Sequence, residues 1–497
     1  MVAKLQSLEY KWIVAIAFLL GIFMDLLDMT IVNVALPSIA KDFDVTEGGI
    51  EWLITGYTLS LAVWIPASGW LGDRFGTKRI FMLAITAFTA GSLLCALSWS
   101  LDSLIFFRVL QGVGGGMMTP VGTAMLMRAF PPSERARSST VLMVPIAVAP
   151  AVGPVLGGVL VDQLSWEWIF LINIPIGVLA FAFAFFMLKE ERQTTAGPFD
   201  LRGFILSGAG LPLLLYGISE GPTSGWGSAK VLIPAIAGLA LLAALVLVET
   251  RVPHPLLTFR LFLDRMFRTG NILMFLMAGG MFGALFLLPL FLQQMRGLSA
   301  TNSGLTTFPQ AIGMIIASQI TTRIYPKIGP KRMVLVGGLG VTLTSVCFLF
   351  VGLGTSLWAI RGIMFVRGLF FNTTIVPLQA ATYATIQRQD QGRASSLYST
   401  TRQVGGSVGV AILSTVLTQR MTTETSGLTD PAAIASGSVS AFHWAFAAAV
   451  ILSSLATLGG FMIRDEDAKA TMAPRTKPKA VEAPAQQQAV EEPALAH

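Results

Sequence analysis

Apolar runs follow one another from Trp12 to residue 463, each long enough for the roughly 20 helical residues that cross a bilayer. Short polar stretches separate them. The pattern predicts about fourteen spans, at 12–37, 50–71, 80–98, 103–126, 137–162, 167–188, 202–220, 230–248, 270–294, 302–325, 333–352, 357–380, 394–417 and 443–463. The runs are too long and too uniformly apolar for barrel strands, which alternate at every second residue. A helix satisfies its own backbone inside lipid, so an all-α membrane protein is the expectation. The first run exceeds the apolar region of a signal peptide and lacks a small-residue cleavage site, so it reads as a retained first helix.

Composition agrees with a chain whose surface faces lipid. Charged residues are 12% of the 497, half the usual share for a soluble protein, and hydrophobic residues are 54%. The net charge of +7 does not point to nucleic acid, because the cations sit in loops on one side. With the N-terminus placed in the cytoplasm, only Lys41, Lys230, Arg296 and Arg420 fall in outside loops. Arg108, Arg361, Arg367 and Arg402 fall within or at the ends of spans, and the remaining 26 of 34 Lys and Arg lie inside. That asymmetry predicts two cytoplasmic termini. Two distant cysteines and three scattered histidines offer no disulfide framework and no metal site. No glycine-rich loop leads into Lys-Ser or Lys-Thr, so neither ATP nor any other cofactor is expected.

Buried charge is the informative chemistry. Asp25 and Asp28 lie near the middle of the first span, three residues apart and on nearly one helical face. Two nearby buried acids oppose each other's ionisation, which suits a group that must take up and release a proton near neutral pH. Such acids can also meet a cationic substrate. Arg108 lies several residues inside the fourth span, where a central cation costs at least about 2.5–3.5 kcal/mol on insertion scales, so it should face a polar interior and have a partner. Arg361, near an outer end, reads as reaching back to the headgroups. A central cavity is a further expectation, with Asn33, Tyr57, Gln111, Met117, Phe282, Phe286, Gln310, Asn372 and Gln379 as candidate lining, alongside Met274 and Met277. Methionine and phenylalanine adapt to varied apolar ligands.

A repeat is also present. Gly72-Asp73-Arg74-Phe75-Gly76-Thr77-Lys78-Arg79 follows the second span and Tyr325-Pro326-Lys327-Ile328-Gly329-Pro330-Lys331-Arg332 the tenth, with Gly76 and Gly329 offset by 253 residues. Paired halves with a site at their interface are a transporter architecture. The first segment resembles the loop signature of the major facilitator superfamily. Arg108-Val109-Leu110-Gln111-Gly112, continuing to Pro120, resembles its fourth-helix signature, and Pro150, Gly153-Pro154 and Gly157-Gly158 its antiporter signature. Leu27-Asp28-Met29-Thr30-Ile31-Val32-Asn33-Val34-Ala35-Leu36-Pro37 resembles the first-helix signature of the fourteen-helix drug:proton antiporter branch, the EmrB/QacA type. Asp25 stands outside that signature.

The resemblance implies a major facilitator fold of two six-helix bundles, 1–190 and 269–464, with two extra helices in 191–268 and a disordered cytoplasmic tail at 465–497. It implies a proton-coupled efflux transporter for small hydrophobic or cationic compounds, rocking between inward- and outward-open states in the inner membrane of a bacterial cell. It is not an enzyme on this reading. It acts as a monomer, and a periplasmic adaptor protein is a candidate partner. The alternative on the same fold is an exporter or symporter of a specific metabolite, siderophore or lipid. Asp28, Asp25 and Arg108 are expected to couple protons. Gly72, Asp73, Arg74, Gly76, Lys78, Arg79 and the fifth-span prolines and glycines are expected to gate. Asp73 would cap the thirteenth span near Gly392 and Ser395. Arg402 and Arg367 take structural or coupling roles.

Overall fold

A computed structural model describes residues 9–45, 50, 52–192 and 197–472. The long helices are α1 (Tyr10–Asp42), α2 (Trp52–Phe75), α3 (Thr77–Ala96), α4 (Leu101–Ala129), α5 (Arg135–Gln163) and α6 (Trp168–Met187) in the first half. A hairpin follows, α7 (Leu201–Ser224) and α8 (Ala229–Glu249). The second half holds α9 (Arg265–Leu290), α10 (Ala300–Thr307 and Pro309–Ile328, interrupted at Phe308), α11 (Pro330–Cys347), α12 (Leu357–Thr382), α13 (Gln391–Thr425) and α14 (Pro431–Gly459).

Polar side chains at the helix starts explain several boundaries. Ser100 and Ser103 bond each other's backbone N–H groups before α4. Asp200 accepts from Gly203 N before α7, and Asp264 from Phe267 N before α9. These satisfy N–H groups that a helix leaves unpaired at its first turn. The same device corrects one expected boundary. Asp430 accepts from the N–H groups of Ala432 and Ala433, so α14 begins at Pro431 rather than 443, through residues whose small polar side chains concealed the helix.

The two halves repeat one packing scheme. α2 and α3 flank α4 as α10 and α11 flank α12, and α1 packs on α5 as α9 does on α13. The halves meet along two seams. At one, α13 packs on α2 and α4; at the other, α5 packs on α10 and α12. The hairpin is not a remote appendage. α7 makes its main contact with the bundles, lying on α2 and α13 together, with Leu211 and Leu215 against Ala62 and Val404. Trp226, in the α7–α8 turn, donates to Thr415 Oγ1 of α13 at 3.0 Å.

Ten of the described helices are long and apolar enough to cross a membrane. The start of the expected tail is ordered. Lys469–Met472 is a short helix, Asp465 accepts from Lys331 N at 2.8 Å, and Thr471 bonds Tyr325 Oη at 2.6 Å. Those contacts lock residues 465–472 onto α10 and α11. Residues 473–497 lie outside the described residues.

Candidate functional site

The polar centre of the first half is built on α1. Asp28 and Arg108, which are 0% and 1% exposed, form an ion pair with Nη1 2.5 Å from Oδ2. Gln111 Nε2 and Asn173 Nδ2 each donate to Asp28 Oδ1 at 3.0 Å. Gln111 Oε1 in turn accepts from Arg108 Nη1 at 2.7 Å, and Ser92 Oγ accepts from Asn173. The guanidinium also lies over the Tyr57 ring, 4.2 Å from its centre. Four helices, α1, α3, α4 and α6, thus close a network in which both Asp28 oxygens are occupied. A buried charge pair holds only when its remaining hydrogen-bonding capacity is met in this way.

Asp25, one turn nearer the N-terminus, is held more lightly. Its described hydrogen bond comes from Tyr57 Oη, 2.5 Å from Oδ1. Arg402 of α13, in the other half, is near enough for its charge to act on this carboxylate without forming an ion pair. Gly115 of α4 makes room for the pair, since a Cβ there would stand 2.8 Å from Asp25 Oδ1 and 2.5 Å from the tyrosine oxygen. Sequence reasoning singled out both acids, Arg108, Tyr57 and Gln111. It missed Asn173, a lone amide in an apolar run, and Gly115, one of three consecutive glycines.

The lysine- and arginine-rich end of the α2/α13 seam is closed. Asp73 accepts from Arg128 Nη2 at 2.5 Å, and Arg128 Nε donates to the Arg388 carbonyl at 3.3 Å. Asp73 also lies on the first turn of α13, where a Cβ at Gly392 would come within 2.7 Å of Oδ1. Ser395 Oγ donates to the Pro120 carbonyl, Ser68 Oγ and Ser396 Oγ are 3.1 Å apart, and Arg135 donates to the Tyr383 carbonyl. Arg128 and Arg135 were counted in the sequence only as loop cations; here they tie the halves together.

Other expected gate residues act within their own half. Gly76, at φ +103°, turns the chain under Glu190, whose carboxylate accepts from Lys78 N and pairs with Arg79 at 3.5 Å. Lys78 Nζ donates to the Phe185 carbonyl at the end of α6. Gly72 packs near Thr77 and Val121 of the same half, and Arg74 is exposed. On α5, Gly153 and Gly157 press against Thr30, Ile31 and Val34 of α1, while Gly158 faces Thr301 of α10. Pro154 is half-buried on the same helix. The Pro150 side chain lies outside the described residues.

The expected lining residues do not converge on one cavity. Gln310 and Arg367 border a cavity inside the second half. Met117, Met274 and Met277 belong to one apolar core that draws on both halves, and Phe282 and Phe286 pack at the edges of the apolar clusters. Asn33 is exposed and donates back to the Met29 carbonyl. Gln379 is buried, and Asn372 is buried with neither end of its amide bonded.

Residues 18–410 match the sequence profile of the family described as Major Facilitator Superfamily. A "Multidrug resistance protein B homolog" from Mycobacterium tuberculosis is 39% identical over 404 residues, covering 79% of this chain and 73% of that one. A "Putative multidrug resistance protein MdtD" from Klebsiella pneumoniae is 36% identical over 417 residues, covering 82% and 85%. The crystal structure of the human organic anion transporter MFSD10 shares the fold at TM-score 0.62 and 16% identity, over 91% of this chain and 99% of that chain.

Proposed function

Because this chain belongs to the major facilitator superfamily, and so is a multi-pass membrane transporter rather than an enzyme, we propose that it exports small hydrophobic or cationic compounds in exchange for protons. The observation that carries this reading is the contrast between the two α1 carboxylates. Asp28 is held by Arg108, Gln111 and Asn173, whereas Asp25 has the single Tyr57 donor and faces Arg402 across the seam. Asp25, with one donor, is the freer of the two acids. Asp28 stays tied up for as long as its ion pair with Arg108 is intact. A proton on either acid changes the charge that the first half presents to the second, and that is the step that couples proton entry to rocking. A cationic substrate competes for the same carboxylates. The names of the relatives, which speak of multidrug resistance, support a drug-like cargo, and the EmrB/QacA branch rests on the resemblance of the first-helix residues.

In this reading fourteen helices cross the bilayer. The four beyond the apolar ten are α2, α5, α10 and α13, the helices that line the seams, where a polar side chain such as Ser68 or Ser396 meets the other half instead of lipid. Both termini then lie in the cytoplasm, and the closed end of the α2/α13 seam is the cytoplasmic gate. A C-terminal fluorescent protein should glow in cells, and a reporter active only in the periplasm should stay silent when fused there. The reverse pair of results ends this topology.

Coupling is tested in proteoliposomes. A lipophilic cation such as ethidium, added to the wild type, should release protons into a weakly buffered medium, and an imposed pH gradient should drive its accumulation. Ethidium movement that ignores the gradient would rule out antiport.

A further inference from the structure

Each half buries an arginine on corresponding helices, Arg108 on α4 and Arg367 on α12, but their charges are met differently. Arg108 has Asp28. Arg367 is 4% exposed, and its described hydrogen bond is from Nη1 to Ser345 Oγ at 2.6 Å. The serine hydroxyl donates its own proton to the Val341 carbonyl, so it meets the guanidinium as a neutral acceptor. Among the described residues no carboxylate pairs with Arg367 or acts on it electrostatically. A guanidinium keeps its charge in proteins and carries five N–H donors. Left uncompensated in a dry interior, such a charge is strongly destabilising.

Arg367 borders a cavity inside the second half. Gln310 and Ser345 supply the other polar atoms of its wall, while Met281, Phe348 and Phe446 are among the apolar ones. The Gln310 side chain makes no hydrogen bond among the described residues, so its amide N–H groups are available to a guest. The space is about 20 Å³ by the measure in which one water needs roughly 10–15 Å³. It fits a single small group and not a drug-sized molecule.

We propose that this cavity is a binding site for a monovalent anionic group, held by the Arg367 guanidinium and the Gln310 amide. A halide or one carboxylate matches the donors, the charge and the room. Phosphate or sulfate brings more charge and more acceptors than two side chains can satisfy. The group comes either as a free halide or as the carboxylate of an amphiphile. The site is separate from the α1 acids and does not depend on proton coupling.

The test uses purified full-length protein in detergent, with thermal unfolding followed at constant ionic strength. Sodium gluconate, too bulky for the cavity, is the reference salt. Chloride replaces it in one arm and acetate, the small carboxylate probe, in the other. Wild type should show a saturable rise in Tm in at least one arm, and the responding arm identifies the source. Arg367→Gln should lose that rise while unfolding in gluconate no earlier than wild type, because a buried amide needs no counter-ion. Arg367→Lys should retain part of the response. Gln310→Ala, which leaves the arginine in place, should shift the anion midpoint severalfold. Equal responses of wild type and Arg367→Gln in both arms would mean a bulk salt effect and overturn the proposal. If Arg367→Gln does not fold, an unchanged midpoint in Gln310→Ala overturns it instead.

Discussion

Asp28→Asn is expected to abolish export against a gradient and to lower the amount of folded protein in the membrane. The asparagine can still accept from Gln111 or Asn173, but it cannot balance Arg108, whose side chain is almost wholly enclosed. Removing one partner of a buried pair costs about 3–5 kcal/mol, because the other charge is left behind. Two consequences are therefore separable. Adding Arg108→Gln removes the stranded charge and should restore folded protein without restoring proton-driven transport. Asp25→Asn, whose amide oxygen can still accept from Tyr57, removes only the charge and should fold normally and impair cations more than neutral compounds. The measurements are membrane abundance, ethidium accumulation under an imposed pH gradient, and proton release on substrate addition. Full active export by Asp28→Asn would shift the coupling role to Asp25.

Asp73→Asn should reduce transport severalfold or more with the protein still inserted. Asp73 neutralises Arg128, whose Nε also bonds the Arg388 carbonyl just before α13, so a single acid supports a contact from each half. Breaking it strands Arg128 at the end of α4 and loosens the first turn of α13. The remaining links, Ser395 to the Pro120 carbonyl and Arg135 to the Tyr383 carbonyl, keep the fold but not the closed state. A cysteine placed at Ser395 in a background without Cys95 and Cys347 reports the result. A membrane-permeant maleimide should label it slowly beside wild-type Asp73 and quickly beside Asn. Equal labelling, or undiminished transport, would reduce Asp73 to a local partner of Arg128.

How much of this was legible in the sequence depended on the kind of interaction. Long apolar runs forced helices, and the repeated Gly, Lys and Arg turns marked the two halves. Charges inside apolar runs drew attention to Asp25, Asp28 and Arg108, because lipid penalises them whatever the fold. Partnership was harder to read. Asn173 completes the Asp28 network from a run that otherwise reads as plain packing, and Gly115 matters through an atom that it lacks. Arg128 and Arg135 looked like topology signals because a cation near a helix end needs no further explanation. Their contacts across the seam arise only when α4 and α5 meet residues 260 and 248 positions further along the chain. The pocket residues were the least legible. Met117, Phe282 and Phe286 have side chains that suit a ligand wall and an ordinary core equally well, and only packing separates the two.

The placement of α7 makes the two seams unequal for a molecule dissolved in the bilayer. In the proposed rocking cycle the halves part along both seams, and either gap would admit a greasy compound sideways from the membrane. Across α2 and α13 that approach is shut by a helix, with Leu211 and Leu215 set into the join and Trp226 tied to Thr415. Across α5 and α10, where Gly158 meets Thr301, no long helix is laid over the pairing among the described residues. The hairpin therefore gives the molecule a front and a back, and in that cycle a cargo that travels in lipid would have one side door rather than two.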